Sequence, residues 1–335
     1  MKFTRTKKLV FFNNKWWVGK TTIAYNAAVK FAEQWYKTVI IDLDPQCNIS
    51  QLALWDQFEN NLFADWENNI YGVLQWVVEW WWDINLDIQF QHIRPNLSIL
   101  PWSLRLSVFE DLLSGAFSDA WSGQPLWYFN TSAIDRFLRN KWLNEDVDLF
   151  IIDISPSLWL LNRAILLWSD YFVTPLMPDA FSLQWIENLG TTFERRKHNR
   201  KVSAKALAWP IPTDRVLSGE GLFIGYIVNS YNQYNKKPIK SHEKWIAQIP
   251  NAIKTHISEK HCRNGLVQKS RTNPLIGLKD YGELSSDAQI HSKAIFELIP
   301  WEDFTSVTGT MDNFKLASEQ FDTLYHNIVE ILEKY

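Results

Sequence analysis

The chain has 335 residues with a formal net charge of −3, and 46% of its residues are hydrophobic. This size and apolar content allow one large core or two smaller ones, and they exclude a disordered, collagen-like or coiled-coil chain. The slight acidity gives no overall basic field for nucleic acid, although it leaves room for a local basic patch. Two cysteines, Cys47 and Cys262, are too few for a disulfide framework, and no stretch is apolar enough for a membrane span. We therefore expect a cytoplasmic protein without membrane insertion.

Glycine and tryptophan occur in unusual numbers. The 12 glycines are about half of the share found in ordinary proteins, whereas the 19 tryptophans are several times the ordinary number. The combined total of the two residue types is close to normal. This balance suggests that many tryptophans occupy positions where glycine belongs.

Short apolar runs alternate with longer segments of helical periodicity, a pattern typical of βαβ units that build a parallel sheet. Strands buried on both faces are predicted at residues 8–12, 38–41, 149–152, 171–174 and 224–228, with weaker candidates at 98–100 and 294–299. Apolar residues at helical spacing predict helices over 21–34 and 314–334. These elements indicate an α/β fold with a doubly wound, mostly parallel sheet flanked by helices.

Nothing in the sequence divides the chain into separate domains, because it contains neither an internal repeat nor a low-complexity linker. We therefore predict a single domain over residues 1–335. Insertions are expected near residues 55–95 and 106–144. The polar stretch near residues 230–280 is predicted to form helical excursions on the surface.

The turn after the first predicted strand contains Gly19-Lys20-Thr21-Thr22, and a predicted helix follows at once. In this context of strand, loop and helix, the Gly-Lys-Thr pattern predicts a phosphate-binding loop. Backbone N–H groups of the loop and of the helix N-terminus would point at phosphate oxygens. Lys20 is then expected to reach the β and γ phosphates, and the Thr21 hydroxyl is expected to bind Mg²⁺. The alternative is a chance Gly-Lys-Thr-Thr sequence at a helix start.

Residues 15–22 read KWWVGKTT, and with glycine at positions 16 and 17 they would read KGGVGKTT. With that change the loop resembles the deviant Walker A motif of the ParA/Soj/MinD-type partitioning and positioning ATPases. Four later segments resemble further motifs of this family in the same order, namely DLDPQCN at 42–48, FIIDISPSLW at 150–159, PDAFSL at 178–183 and GYIVN at 225–229. The resemblance implies a P-loop ATPase fold that binds ATP and Mg²⁺ at the carboxyl ends of the strands.

The resemblance also implies roles for individual side chains. Lys15 matches the signature lysine that contacts the ATP of a partner subunit, and Asp44 matches the residue that orients the attacking water, with Asp42 nearby. Asp153 would hold Mg²⁺ together with Thr21, and Asn229 would contact adenine. The implied ATP site contains Lys15, Trp16, Trp17, Val18, Gly19, Lys20, Thr21, Thr22 and Asn229, with Lys15, Lys20 and Asp44 as catalytic residues. Taken alone, Asp44 and Asp153 also fit strand-end turns, and Asn229 fits a helix N-cap.

The partners implied by the resemblance are a second copy of the chain, joined on ATP binding, a ParB-like or cargo adaptor protein, and DNA bound without sequence preference. ATP hydrolysis would then drive chromosome or plasmid partitioning or cargo positioning, with the protein associated with the nucleoid. A cluster of cations is a candidate DNA contact, because such a cluster can neutralise phosphates without reading bases. It consists of Arg195, Arg196, Lys197, Arg200 and Lys201. The alternative is a solvated, charged helix face.

Trp16 and Trp17 conflict with this function, because a phosphate loop needs close approach of its backbone and a positive φ that bulky residues resist. Other tryptophans also stand at glycine-like positions in turns or family motifs, namely Trp35, Trp80, Trp81, Trp82, Trp102, Trp159 and Trp185. The functional residues are intact and only glycines look lost. Our hypothesis is therefore that the gene uses UGA for glycine and was translated with UGA as tryptophan.

Other interpretations stay open at this point. The tryptophans could be deliberate substitutions, or the chain could be a non-catalytic interaction protein that keeps the fold with a blocked loop. Ligases and reductases of the same superfamily are a further alternative, but the sequence shows no second substrate motif for them.

Overall fold

The computed structural model describes residues 3–55, 68–79, 83–119, 125–157, 160–206, 219, 221–231, 233–234, 237–238, 240–258, 273–304 and 308–334. Its strands are β1 (Lys7–Phe11), β2 (Thr38–Leu43), β3 (Gln91–Arg94), β4 (Leu97–Leu100), β5 (Leu149–Ile154), β6 (Tyr171–Leu176), β7 (Leu222–Tyr231), β8 (Gln233–Tyr234), β9 (Lys237–Pro238) and β10 (Ile276–Lys279). Its α-helices are α1 (Lys20–Glu33), α2 (Asn48–Ala53), α3 (Ile70–Glu79), α4 (Leu106–Asp119), α5 (Pro125–Thr131), α6 (Ala133–Glu145), α7 (Leu160–Trp168), α8 (Ala180–Ala206), α9 (Lys240–Ile246), α10 (Ile249–Ile253), α11 (Leu284–Ile290) and α12 (Thr308–Lys334). A π-helical turn covers Lys254–Ser258, and a 3₁₀ turn covers Ile295–Glu297.

The main sheet of the described residues has eight strands in the order β10-β7-β6-β1-β5-β2-β4-β3. Every neighbouring pair is parallel except β3 and β4, and β8 and β9 form a separate hairpin. The central strand β1 places Leu9 opposite Ile151 of β5 and opposite Tyr171 of β6. The carboxyl ends of β1, β2, β5 and β6 therefore meet at one edge of the sheet, where a doubly wound fold binds its ligand.

Helices cover both faces of the sheet, so alternate residues of each strand enter two different cores. Leu9 and Phe11 of β1 pack with residues of α1, α2, α11 and α12. Val10 and Phe12 pack instead with residues of α3, α4, α6, α7, α8 and α10. This burial on both faces explains why the central strands are apolar at nearly every position.

The predicted fold class and the five principal strands are confirmed. The helices predicted over residues 21–34 and 314–334 correspond to α1 and α12, and the weaker strand candidate at 98–100 corresponds to β4. Strong periodic or apolar patterns therefore identified the elements that pack most deeply.

The strand predicted over residues 294–299 is wrong, because this segment contains the 3₁₀ turn. The Glu297 carboxylate accepts the Ala294 N–H at 2.8 Å and also pairs with Arg94, which closes the turn locally. Ala294, Ile295 and Leu298 are nevertheless buried, and their apolar side chains produced the strand-like pattern.

The polar stretch near residues 230–280 is partly helical, since its described residues include α9, α10 and the π-helical turn. It also supplies β10, an edge strand that the sequence did not reveal because its residues are only partly buried. Helix α12 secures this edge, because Gln320 Nε2 donates to the Gly277 carbonyl at 2.8 Å. The antiparallel strand β3 at the opposite edge was missed for the same reason.

The regions predicted as insertions contribute α3 and β3 near residues 55–95, and α4, α5 and α6 between 106 and 144. The organisation as one domain with insertions stays a prediction. Among the helices that the structure describes, none combines the length and apolarity required to cross a lipid bilayer.

Candidate nucleotide-binding site

The loop between β1 and α1 borders a cleft of about 350 Å³ at the carboxyl edge of the sheet. Gly19 ends this loop with φ 73°, and a Cβ atom there would lie 2.3 Å from Asn229 Nδ2. Glycine is therefore required at position 19. Because Gly19 has no side chain to cap α1, the first N–H groups of the helix are open to an anionic ligand. The cleft is lined by Lys15, Trp16, Trp17, Val18, Gly19, Lys20, Thr21, Thr22, Asn26, Asp44, Gln46, Asn48, Leu52, Pro156, Ser285, Ala288, Gln289 and Lys293.

Lys20 and Thr21, the first two residues of α1, are bonded to the end of β5. Lys20 is buried, and its Nζ donates to the Ile154 carbonyl at 2.6 Å and lies 3.8 Å from Asp44 Oδ2. Thr21 Oγ1 donates to Asp153 Oδ2 at 2.7 Å. The structure therefore brings the Gly-Lys-Thr sequence and two distant aspartates into one cluster.

The carboxylates of this cluster outnumber its cations. Burial raises the pKa of Asp153 to about 6 against the lowering effect of Lys20, and the Asp44 charge adds to the increase. Burial and the charge of Asp153 also raise the pKa of Asp42 well above its ordinary value. An added cation would relieve this excess of negative charge.

Asp153 offers such a cation a ligand. Among the described residues, its Oδ1 atom is buried without a hydrogen-bond partner, and an atom of this kind is suited to an ion or an ordered water. Mg²⁺ prefers oxygen ligands and binds through one or two carboxylates together with substrate phosphates. Thr21 and Asp153 therefore fit Mg²⁺.

Asp44 follows β2 in a tight turn and lines the cleft. Its backbone N–H donates to Asp42 Oδ1 at 3.0 Å, and its Oδ1 accepts the Gln46 N–H at 3.0 Å. The other carboxylate oxygen, Oδ2, is the one that lies near Lys20. A carboxylate in this place can accept a hydrogen bond from a water molecule beside a phosphate.

Lys15 lies in the loop, and its side chain pairs with Asp179 just before α8. The two side chains are 32% and 30% exposed, and Lys15 Nζ lies 5.5 Å from the centre of the Phe181 ring. Asn13 braces the loop, because its Oδ1 accepts the Lys15 N–H at 2.8 Å. In this single chain the Lys15 ammonium group is thus held between the loop and α8.

Asn229 lies on β7 next to the loop. Its Nδ2 donates to the Val18 carbonyl at 3.0 Å, and its side chain is buried. It is absent from the residues that line the cleft, so in this structure it braces the loop from behind. Contact with adenine stays a prediction.

The basic cluster of Arg195, Arg196, Lys197, Arg200 and Lys201 lies in the second half of α8, a continuous helix of 27 residues. The side chains of these five residues fall outside the part of the chain that the structure describes. Their contact with DNA stays a prediction.

Part of the cleft wall was not foreseen from the sequence. It consists of Ser285, Ala288 and Gln289 on α11, and of Lys293 after that helix. Lys293 Nζ donates to Asp303 Oδ2 at 2.6 Å. No spacing rule connects α11 to a loop near the start of the chain, and only the folded sheet brings the two together.

Three tryptophans have a positive φ, a backbone conformation that glycine adopts more readily than other residues. Among the described residues, Trp17, Trp35 and Trp301 have φ values of 63°, 65° and 70°, in the left-handed region that favours glycine. Their side chains are 92%, 74% and 76% exposed. Trp301 was not singled out from the sequence. Trp16 is half exposed and lines the cleft with Trp17.

Trp102 and Trp185, also interpreted as replaced glycines, behave differently. Neither has a positive φ. Trp185 is 2% exposed, its indole N–H donates to Thr174 Oγ1 at 3.0 Å, and its ring packs against Phe12. The burial of Trp185 contradicts the glycine interpretation, and the backbone at Trp102 does not require glycine. Residues 80–82 and 159 lie outside the described residues.

Comparison with known proteins gives the family of the chain. A family model described as an AAA domain matches residues 6–205, which is more than half of the chain. A virulence plasmid ParA family protein from Chlamydia psittaci is 27% identical over 184 residues, which are 55% of this chain and 61% of that protein. This chain belongs to the ParA-like P-loop ATPase family.

Further proteins resemble this ParA-like ATPase. An uncharacterized protein from Methanocaldococcus jannaschii is 28% identical over 245 residues, 71% of this chain and 79% of that protein. A solved structure from Corynebacterium diphtheriae has a TM-score of 0.70 at 21% identity and covers 98% of this chain and 99% of its own. A putative plasmid partition protein from Borrelia burgdorferi, bound to AMPPNP, has a TM-score of 0.61 at 16% identity, with coverage of 97% and 99%. At these identities the two structures show a shared fold.

Proposed function

We propose that this chain binds ATP and Mg²⁺ in the cleft beside the β1–α1 loop and hydrolyses the ATP. The observation that carries this proposal is the bonded cluster of Lys20, Thr21 and Asp153, in which Asp153 Oδ1 has no partner among the described residues. Membership of the ParA-like ATPase family supports the same reaction.

Phosphoryl transfer depends mainly on positioning and on neutralising charge. The N–H groups at the start of α1 and the Lys20 ammonium group bind the phosphate oxygens. Thr21 and Asp153 hold Mg²⁺, which when bound supplies positive charge to the β and γ phosphates. Asp44 accepts a hydrogen bond from the attacking water and orients it. Ser285 and Gln289 flank the nucleoside along the α11 wall of the cleft.

Dimerisation completes the site in this proposal. Lys15 leaves Asp179 and contacts the ATP phosphates of a second copy of the chain. Its position at the surface between the loop and α8, beside the exposed Phe181 ring, supports this role. Hydrolysis therefore follows assembly of the homodimer.

The ATP-bound dimer then engages DNA and an adaptor protein of the ParB or cargo type. DNA binds without sequence preference to the basic cluster of α8, and hydrolysis resets a cycle of chromosome or plasmid partitioning or cargo positioning. The names of two similar proteins support this role, since one is a ParA family protein of a virulence plasmid and one is a putative plasmid partition protein.

Two substitutions test the site, each made in the chain as written and in the chain with Trp16→Gly and Trp17→Gly. Lys20→Ala is expected to abolish ATP binding, because it removes the cation next to the phosphates. Asp44→Ala is expected to keep ATP binding and to block turnover, because only orientation of water is lost. Calorimetric titration measures binding and phosphate release measures turnover. Normal hydrolysis by both variants would refute the site.

A second function is favoured by Trp16 and Trp17, namely a non-catalytic interaction protein with a blocked loop. Both indoles line the cleft, and Trp17 holds a conformation that is strained for a bulky residue. Mg²⁺-dependent ATP binding by the chain as written, compared with the Trp16→Gly, Trp17→Gly variant, separates the two functions. Binding only after the glycine substitutions supports the blocked loop, and tight binding by the chain as written contradicts it.

A further inference from the structure

The Asp42 carboxylate joins both ends of the turn that carries Asp44. Its Oδ1 accepts the Asp44 N–H at 3.0 Å, and its Oδ2 accepts the Ser50 N–H at 3.1 Å. The Ser50 hydroxyl adds a third bond by donating to the same Oδ2 at 2.5 Å. The end of β2 and the first turn of α2 are therefore fixed to each other on either side of the turn.

The Ser50 hydroxyl also connects this turn to a neighbouring strand. The Trp102 N–H, just beyond β4, donates to Ser50 Oγ at 3.2 Å. A hydroxyl has a single proton, so donation to Asp42 and acceptance from Trp102 together fix its orientation. Ser50 and Asp42 are almost completely buried, which protects these bonds from competing water.

The direction of the Asp44 side chain depends on this arrangement. Its Oδ1 accepts the N–H of Gln46 within the same turn, and its Oδ2 lies 3.8 Å from Lys20 Nζ. Movement of the turn would shift Oδ2 relative to the cleft. A misplacement of about 1 Å in a group that orients a reactant can lower a rate about a hundredfold.

We propose that Ser50 is a positioning residue for ATP hydrolysis. Through Asp42, its hydroxyl holds the turn in the geometry in which Asp44 orients the attacking water. This inference rests on the proposed function, because it uses the role given there to Asp44. Ser50 does not line the cleft, so its hydroxyl affects turnover and not the affinity for ATP.

The test compares Ser50→Ala and Ser50→Thr in the full chain and in the full chain with Trp16→Gly and Trp17→Gly. Ser132→Ala is a matched control, because Ser132 is also a buried serine whose hydroxyl bonds two partners, the Phe129 carbonyl and Arg136, at a distant helix start. Three quantities are measured: kcat, the Kd for ATP, and amide hydrogen exchange of residues 44–51.

Ser50→Ala is expected to lower kcat by about 10-fold to 100-fold with less than about a twofold change in Kd, and to speed exchange at residues 44–51. Ser50→Thr keeps the hydroxyl and should show the parental kcat and the parental exchange rates. Ser132→Ala should change neither kcat nor exchange at these residues. Parental kcat and exchange in Ser50→Ala would overturn the proposal, as would equal effects in Ser132→Ala. If the parent chain does not hydrolyse ATP, the proposed function fails, and the exchange comparison still decides whether Ser50 holds the turn.

Discussion

Trp35 shows at the scale of one residue what the fold requires from the sequence. At the end of α1 the Trp35 N–H donates to the Ala32 carbonyl at 3.0 Å, and the Tyr36 N–H donates to the Phe31 carbonyl at 3.1 Å. This pair of bonds forms a Schellman motif, in which the residue at position 35 takes the left-handed conformation and is usually glycine. The centres of the Tyr36 and Phe31 rings lie 5.5 Å apart, and this is the hydrophobic contact that accompanies the motif.

Trp35→Gly is expected to raise the free energy of unfolding by about 0.5–1 kcal/mol. Relief of the left-handed strain contributes about 1–2 kcal/mol, and the greater freedom of glycine in the unfolded chain removes about 0.5–1 kcal/mol. Urea denaturation measures the change. Trp185→Gly is the matched control and should cost about 3–5 kcal/mol, because it removes a buried indole. A clear loss of stability in Trp35→Gly would contradict this account of the turn.

The same distinction sharpens the hypothesis about the genetic code. Exposed tryptophans with a left-handed backbone, at positions 17, 35 and 301, are expected to have UGA codons. The buried Trp168 and Trp185 are expected to have UGG codons. Reading the gene decides the matter, and UGG at positions 16 and 17 would refute the hypothesis.

The buried carboxyl group of Asp153 makes the stability of the protein depend on pH. Since burial raises its pKa to about 6, the folded state gains from the protonated form below the ordinary value of 3.8 and loses that gain as pH rises through about 6. Asp153→Asn should therefore raise the free energy of unfolding of the nucleotide-free protein at pH 7.5 by up to about 3 kcal/mol. The gain should shrink as the pH falls toward 4.

Urea denaturation at several pH values measures this effect, and Asp111→Asn on the exposed face of α4 serves as the control. The control should change the free energy of unfolding by less than about 0.5 kcal/mol at every pH. Asp153→Asn should also abolish Mg²⁺-dependent ATP hydrolysis. If Asp153→Asn instead lowers the free energy of unfolding at pH 7.5, the prediction is wrong, and groups within the protein already stabilise the charged carboxylate.

At the scale of elements, the contact between the β1–α1 loop and α8 sets the position of Lys15. Asp179 has two functions in this contact. Its Oδ2 pairs with Lys15, and its Oδ1 caps α8 by accepting the Ser182 N–H at 2.9 Å. Asp179→Asn removes the charge and keeps a side chain that caps helices equally well. The variant therefore isolates the ion pair.

Asp179→Asn is expected to change the free energy of unfolding by less than about 1 kcal/mol, because partly exposed ion pairs contribute little. It should strengthen ATP-dependent dimerisation by about twofold to fivefold, since Lys15 no longer has to leave a partner before reaching the second subunit. Analytical ultracentrifugation with ATP and Mg²⁺ measures the dimer. Lys15→Ala is the control that should weaken it, and a weaker dimer in Asp179→Asn would contradict the role of this contact.

At the scale of the whole molecule, much of the sheet could be predicted because strands such as β1 and β5 are buried on both faces and form continuous apolar runs. The edge strands β3 and β10 could not be predicted, because each is short and partly polar and depends on a neighbour for its conformation. The strand-like run at 294–299 misled the prediction, since a local carboxylate bond turns it into a 3₁₀ turn.

The residues of the candidate site also fall into those that could be predicted from the sequence and those that could not. Lys20, Thr21 and Asp153 could be predicted, because a short motif and a strand end identify them. The α11 wall and the link from Ser50 to Asp42 could not, since they depend on tertiary placement and on hydrogen bonds that no spacing rule describes. The family resemblance supplied the order of the motifs, and the folded chain supplied the contacts between them.

The central place of β1 has a consequence for the order in which the protein can be made. This strand is synthesised well before its partners in the sheet, β5 and β6, which end at Ile154 and Leu176. Pairing across such a sequence distance is slow, and the ribosome delays it further until both partners have emerged. The β1–α1 loop follows β1 directly, so its final position is also fixed only after these later strands have formed. A nascent chain that stalls before Leu176 presents β1 with open edges, which invite aggregation.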